Sequence, residues 1–240
     1  VKDIGLIIVA TTSTNTLMPG ISYYIQEKLN IEKCICLDIL AGCAGYVNAF
    51  DIAKLYIDEK KVEKALIVGV DVLSECTDDN DINTKIILSD GAGATIISRT
   101  EKDKLYFSNI QSDGKNGEIL TYRTNEKIKM DGKAIYKYAV TETVRNIEEL
   151  LEQANVKIED IKYVIPHQSN IKIMKSIATK LNISMDKMYT NISEVGNTFC
   201  ASIPIALTQM YEKKLLKDGD KIILIGYGGG LNTASILLEI

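Results

Sequence analysis

The chain has 240 residues, is 46% hydrophobic and carries a formal net charge of −4. That length supplies the core of one large domain or of two fused small ones, and the acidic balance argues against a nucleic-acid partner. Arginine occurs only at positions 99, 123 and 145, so bidentate phosphate clamps are scarce.

The five cysteines (34, 36, 43, 76 and 200) include no C-x-x-C pair and accompany a single histidine. This disfavours a structural zinc site or a disulfide framework and reads as the reduced thiols of a cytoplasmic protein. No apolar run reaches membrane-spanning length. The chain opens at Val1, not Met, directly in an apolar run, an opening expected of a piece of a longer protein.

Apolar β-branched runs alternate with helical periodicity. Residues 4–11 predict a buried strand, 20–29 a helix and 34–40 a strand. Residues 43–58 predict a helix, and 64–73 another buried strand. "IILSDGAGATIIS" (86–98) reads as strand, glycine turn, strand, and 104–114 adds another strand. A long helix is expected over 134–154, then a strand in "IKYVIPHQ" and a helix over 170–181. A short strand near 187–191, a helix over 200–216 and strands over 221–226 and 231–240 complete the series. This order predicts an α/β fold with helices covering a mainly parallel sheet. "ALIVGVDVL…SDGAGATIIS" echoes "KIILIGYGGGLNTASILLE", so a duplicated unit is expected, divided as residues 1–125 and 126–240.

Chemistry has three candidate places. Cys43 sits in "AGCAG" before a helix, where free N–H groups favour a thiolate. It reads either as a nucleophile or as a small buried hydrophobe. "VIPHQSN" places the only histidine, His167, at the end of a buried strand, where α/β sheets put ligands. The alternative there is a structural histidine. In "SEVGNTFCASIPIAL", Asn197 or Thr198 reads as a helix cap. The glycines of "GYGGG" serve equally as a turn, an oxyanion donor or a phosphate loop, but they do not fit a dinucleotide fingerprint. One Cys, one His and one Asn at element boundaries suit acyl transfer through a thioester.

The segments "GCAGYVNAFDIA", "SDGAGA", "PHQSNIKI", "GNTFCASIP" and "GYGGG", in this order and spacing, resemble the β-ketoacyl-acyl-carrier-protein synthase III family. The resemblance implies a thiolase-like fold, with two related halves in α-β-α-β-α layers and the first half incomplete. It also implies a homodimer. Cys43 would be the acyl-accepting nucleophile, and His167 and Asn197 would hold the malonyl thioester carbonyl. The Cys43 and Gly229 amides would form the oxyanion hole, and Tyr227 would stand beside the departing carboxylate. Met18 would reach into the partner's acyl pocket, which Leu88 would also line. Lys172, Lys175 and Lys180 would dock acyl carrier protein. No cofactor would be bound permanently, and coenzyme A or phosphopantetheine thioesters would be the substrates.

The departures have meaning too. The family's opening segment, which the resemblance treats as supplying a central strand of the first half, has no counterpart. Ile82 stands where an Arg for the nucleotide is common, Leu88-Ser89 replaces Phe-Gly, Phe199-Cys200 replaces Ser-Ala, and Thr233 lies where Trp is frequent. These changes alter substrate walls and weaken the case for acetyl-coenzyme A. "GYGGGLN" lacks the second cysteine of a thiolase. A ketosynthase-like acyltransferase, a 3-hydroxy-3-methylglutaryl-coenzyme A synthase, or a non-catalytic subunit completed by a second polypeptide are the competing readings.

Overall fold

The computed structural model describes residues 2–102 and 104–240. The chain begins β1 (Leu6–Ala10), α1 (Ile21–Lys28), β2 (Ile35–Ile39), α2 (Gly45–Asp58), β3 (Lys64–Asp71), α3 (Ile82–Lys85) and β4 (Gly91–Ser98). It continues β5 (Tyr106–Ser112), β6 (Leu120–Thr121), β7 (Lys129–Met130), α4 (Gly132–Ala154), β8 (Tyr163–Pro166) and α5 (Ile171–Lys180). Helices α6 (Ile192–Val195) and α7 (Ser202–Glu212) and strands β9 (Lys221–Gly228) and β10 (Asn232–Glu239) complete it.

Two four-stranded sheets carry the fold, in the orders β2-β1-β3-β4 and β5-β10-β9-β8. β1 is buried at every residue and pairs in parallel with both neighbours, as expected of an uninterrupted Leu/Ile/Val run covered on both faces. β4 returns antiparallel to β3, and β10 antiparallel to β9, which is the echo visible in the sequence. Strand β5, inside residues 1–125, pairs with β10 in the second sheet.

Helices α2 and α7 lie between the sheets in one core that joins Leu6, Ile8 and Ile67 to Ile222, Leu224 and Ile236. α1 covers the outer face of β1 and β2, while α4 and α5 cover the outer face of the second sheet. The result is the α-β-α-β-α layering expected. α4 starts where the Asp131 carboxylate accepts from the N–H groups of Lys133 and Ala134, and ends at Asn155 in the left-handed region. Among the described residues no helix is long and apolar enough to cross a membrane.

Three expectations are corrected. The segment 86–98 holds no glycine turn: Gly91 and Gly93 lie inside β4. A Cβ on Gly93 would sit 2.8 Å from the Ile205 nitrogen, so that glycine admits α7 against the sheet and does not bend the chain. The short strand near 187–191 reduces to a single bridge between Val164 and Met188. Finally, no central strand is missing from the first sheet, because β1 and β3 pair directly along their length. The open position is the outer edge of β4, where Ile96 is 52% exposed. In the second sheet the corresponding edge of β10 is covered by β5.

Candidate active site

Cys43 occupies a 3-10 turn, Gly42–Ala44, that leads straight into α2. Two close approaches fix it. Gly42 takes φ +54, and a Cβ there would lie 2.5 Å from the Gly229 carbonyl oxygen. A Cβ on Gly228 would lie 2.8 Å from Cβ and 2.9 Å from Sγ of Cys43. The glycine run after β9 therefore presses its backbone onto the thiol, and any side chain would push it away. Burial, and then the Asp71 carboxylate, hold the Cys43 thiol well above its ordinary range, while the Cys43 and Gly229 N–H groups pull it back. Desolvation is the largest of these influences and favours the thiol over the thiolate.

His167 follows β8, and its N–H bonds to the Ile225 carbonyl, which extends the pairing with β9. Its Nδ1 lies 2.8 Å from Ser202 Oγ, and Ser202 Oγ also accepts the Gln168 N–H at 3.3 Å. Among the described residues Nδ1 is the one acceptor that this buried hydroxyl reaches, so the hydroxyl donates to Nδ1, which leaves the ring proton on Nε2. Burial pushes His167 down to about 3, so the imidazole is neutral and acts as a hydrogen-bond donor. Tyr227 packs edge-on against it, with centroids 5.4 Å apart, and donates to the His167 carbonyl. Gln168 bonds the carbonyls of Pro166 and Tyr189 and the N–H of Asn191, fixing the loop.

Thr198, not Asn197, holds the N-cap position of the 3-10 turn Phe199–Ala201, without a side-chain capping bond of its own. The backbone of Asn197 bridges to Leu88, through Asn197 N–H to the Ile87 carbonyl and Ser89 N–H to the Asn197 carbonyl. Its Oδ1 accepts the Phe199 N–H at 3.1 Å, so its amide N–H groups are left as donors. The next turn is tied to Asp71, a fully buried carboxylate. Asp71 accepts from Cys200 N–H on one oxygen and, on the other, from the hydroxyls of Thr11 and Thr12 and the N–H groups of Thr12 and Ser13.

Cys43, His167, Asn197, Tyr227 and Leu88 line one cavity of about 570 Å³. Gly229 lines a second, of about 420 Å³, together with Thr12, Tyr122 and Leu231, and Cys43 belongs to both. Met18 lines neither and is 87% exposed. Lys172, Lys175 and Lys180 are exposed on α5, and Lys180 shares a shallow depression with Lys133 and Lys137 of α4. Ser202, Asp71 and Gln168 were not singled out by the sequence. The first two act across 35 and 129 residues of chain, a distance that no local spacing reveals.

A buried thiol in the wall of two chambers, one of them lined also by a neutral imidazole and a carboxamide, defines an acyl-transferring enzyme of the thiolase fold. Residues 37–114 match the family model for 3-oxoacyl-[acyl-carrier-protein] synthase III, and residues 151–240 match that for its C-terminal part. The chain is 41% identical to the β-ketoacyl-[acyl-carrier-protein] synthase III of Clostridium beijerinckii, over 99% of this chain and 78% of that protein. It is 38% identical to the same enzyme of Clostridium novyi, with the same coverage. The crystal structure of 3-oxoacyl-[acyl-carrier-protein] synthase III from Aquifex aeolicus superposes with a TM-score of 0.97 at 35% identity, covering all of this chain and 78% of that one. The chain belongs to the β-ketoacyl-acyl-carrier-protein synthase III family and is an acyltransferase of that type.

Proposed function

We propose that Cys43 carries an acyl group between two half-reactions. The Cys43 thiol adds to an acyl thioester, its proton leaves with the departing thiol, and an acyl-Cys43 thioester remains. Malonyl-carrier protein then enters the larger cavity and loses CO₂, and its enolate carbon attacks acyl-Cys43. The Cys43 sulfur leaves and takes up a proton, and β-ketoacyl-carrier protein is released. His167 Nε2–H and the Asn197 amide stabilise the enolate oxygen, and the Cys43 and Gly229 amides stabilise the tetrahedral oxyanion. Tyr227 lies beside the departing carboxylate.

The observation that carries this reading is the position of Cys43 in the wall of both cavities, with His167 and Asn197 in only one. Acyl donor and malonyl extender can then approach the sulfur from different sides. A neutral His167 suits the role, because an imidazolium would be costly at that depth. We further propose a cytoplasmic homodimer in which exposed Met18 meets the partner's acyl cavity. Lys172, Lys175 and Lys180 meet the acidic carrier protein. Coenzyme A or carrier phosphopantetheine delivers the acyl group, and exposed Ile82 in place of an arginine tilts the donor toward a carrier-borne or specialised one.

The test is product analysis with acyl thioester and malonyl-carrier protein. β-Ketoacyl-carrier protein and CO₂ formed by the wild type and lost in Cys43→Ala support the reading. Acyl transfer to an alcohol or amine without use of malonate would replace it with a plain acyltransferase.

A further inference from the structure

Among the described residues, four line both cavities: Cys43, Leu120, Ile128 and Phe199. Phe199 is the aromatic one. It is 7% exposed and packs with Cys43, Leu73, Cys76 and Ile128 in a small cluster of its own. Its backbone has φ +43, a region bulky L-residues adopt only when their surroundings leave no alternative. Here they leave none. The Phe199 N–H is spent on Asn197 Oδ1 at 3.1 Å. The next residue is pinned twice, by Cys200 N–H to Asp71 Oδ2 at 3.0 Å and by Cys200 Sγ–H to the Gly42 carbonyl at 3.0 Å. The backbone that carries the ring is therefore held in place, and the ring itself is buried in that cluster.

We infer that Phe199 sets the upper size of the acyl group that Cys43 accepts, by closing the second cavity off from the first. The inference rests on the acyl-Cys43 reading above. An acyl chain on the sulfur must lie within the space of about 420 Å³ behind Phe199, Leu120 and Ile128, because the chamber with His167 and Asn197 has to stay free for the malonyl unit. A chain one or two methylenes too long meets this buried ring, and a packed apolar wall discriminates by clash. Loss of the ring would merge the two chambers at Cys43.

The experiment compares wild type, Phe199→Gly and Phe199→Leu. Each is exposed to straight-chain acyl thioesters from acetyl to octanoyl, on coenzyme A and on carrier protein, and the Cys43 adduct is followed by intact mass. Glycine suits the positive φ, and leucine keeps apolar fill while shortening the side chain. The expected result is a rise of about 10-fold or more in the octanoyl-to-acetyl ratio for Phe199→Gly, as one or two methylenes of discrimination carry, with a smaller rise for Phe199→Leu. An unchanged ratio in both variants, with folding verified by thermal melting, would make Phe199 mere core filling and overturn the inference. If the glycine variant does not fold, the leucine ratio alone decides in the same way. Absence of any acyl adduct on the wild type, from every thioester, would instead bring down the acyl-Cys43 reading and this inference with it.

Discussion

Ser202 Oγ and His167 Nδ1 lie 2.8 Å apart, joined across 35 residues of chain at the start of α7 and the end of β8. Because Nδ1 is the acceptor that the buried Ser202 hydroxyl reaches, its proton goes to Nδ1 and the imidazole keeps its own on Nε2. Ser202→Ala frees the ring to take the other tautomer. The condensation step should fall about 10- to 100-fold, as when the partner that orients a functional imidazole is lost. Acylation of Cys43 should be kept, and separate assays of the two half-reactions check this. The buried Gln168 N–H also loses a partner, so stability should drop by about 1–3 kcal/mol.

His167 makes a pH signature. Its folded value of about 3 lies below the ordinary value of 6.5. Between those values the unfolded chain binds the proton and the folded one does not. Stability from this group is therefore complete above about pH 6.5 and is lost as the pH falls toward 3, at up to about 1.4 kcal/mol per unit. Urea midpoints across that range should show the slope, and His167→Asn should remove its share. A condensation rate that tracked protonation of a group near pH 6.5 would mean that His167 is not the neutral donor described.

Gly228 has no space for a methyl group. Gly228→Ala places Cβ within 2.9 Å of the Cys43 sulfur, so the thiol or the loop must move. A cost of about 1–3 kcal/mol is expected, with loss of Cys43 acylation. Gly114→Ala, where nothing lies within 4 Å, serves as the control for stability. Thermal melts and adduct mass read both.

Reversing charge at Lys172, Lys175 and Lys180 tests the docking face. The triple Glu variant should raise KM for malonyl-carrier protein and flatten its salt dependence, since rim charges govern encounter. Acylation from a coenzyme A thioester should change little. Equal loss with both substrates would place these lysines outside carrier recognition.

The main elements were legible wherever pattern and period agreed, as in the all-buried run Leu6–Ala10 and the capped helix from Gly132 to Ala154. Cys43, His167 and Asn197 were legible as polar or reactive residues at element boundaries, though their gathering at one cavity was not. Gly91 and Gly93 misled because a glycine that makes a turn and one that admits a helix look alike in sequence. At Cys43 the helix N-terminus is visible in sequence, while the burial that raises the thiol is not. Asp71 and Ser202 stayed hidden because their partners are set by tertiary packing.

The central claim is that Cys43 carries the acyl group, and intact mass measures it most directly. Wild type and Cys43→Ala are incubated with acyl thioesters on coenzyme A and on carrier protein, and malonyl-carrier protein is then added. The account predicts an adduct of the acyl mass on the wild type alone, discharged when malonyl-carrier protein arrives. An adduct that persists in Cys43→Ala, or product formed at full rate by that variant, would contradict it.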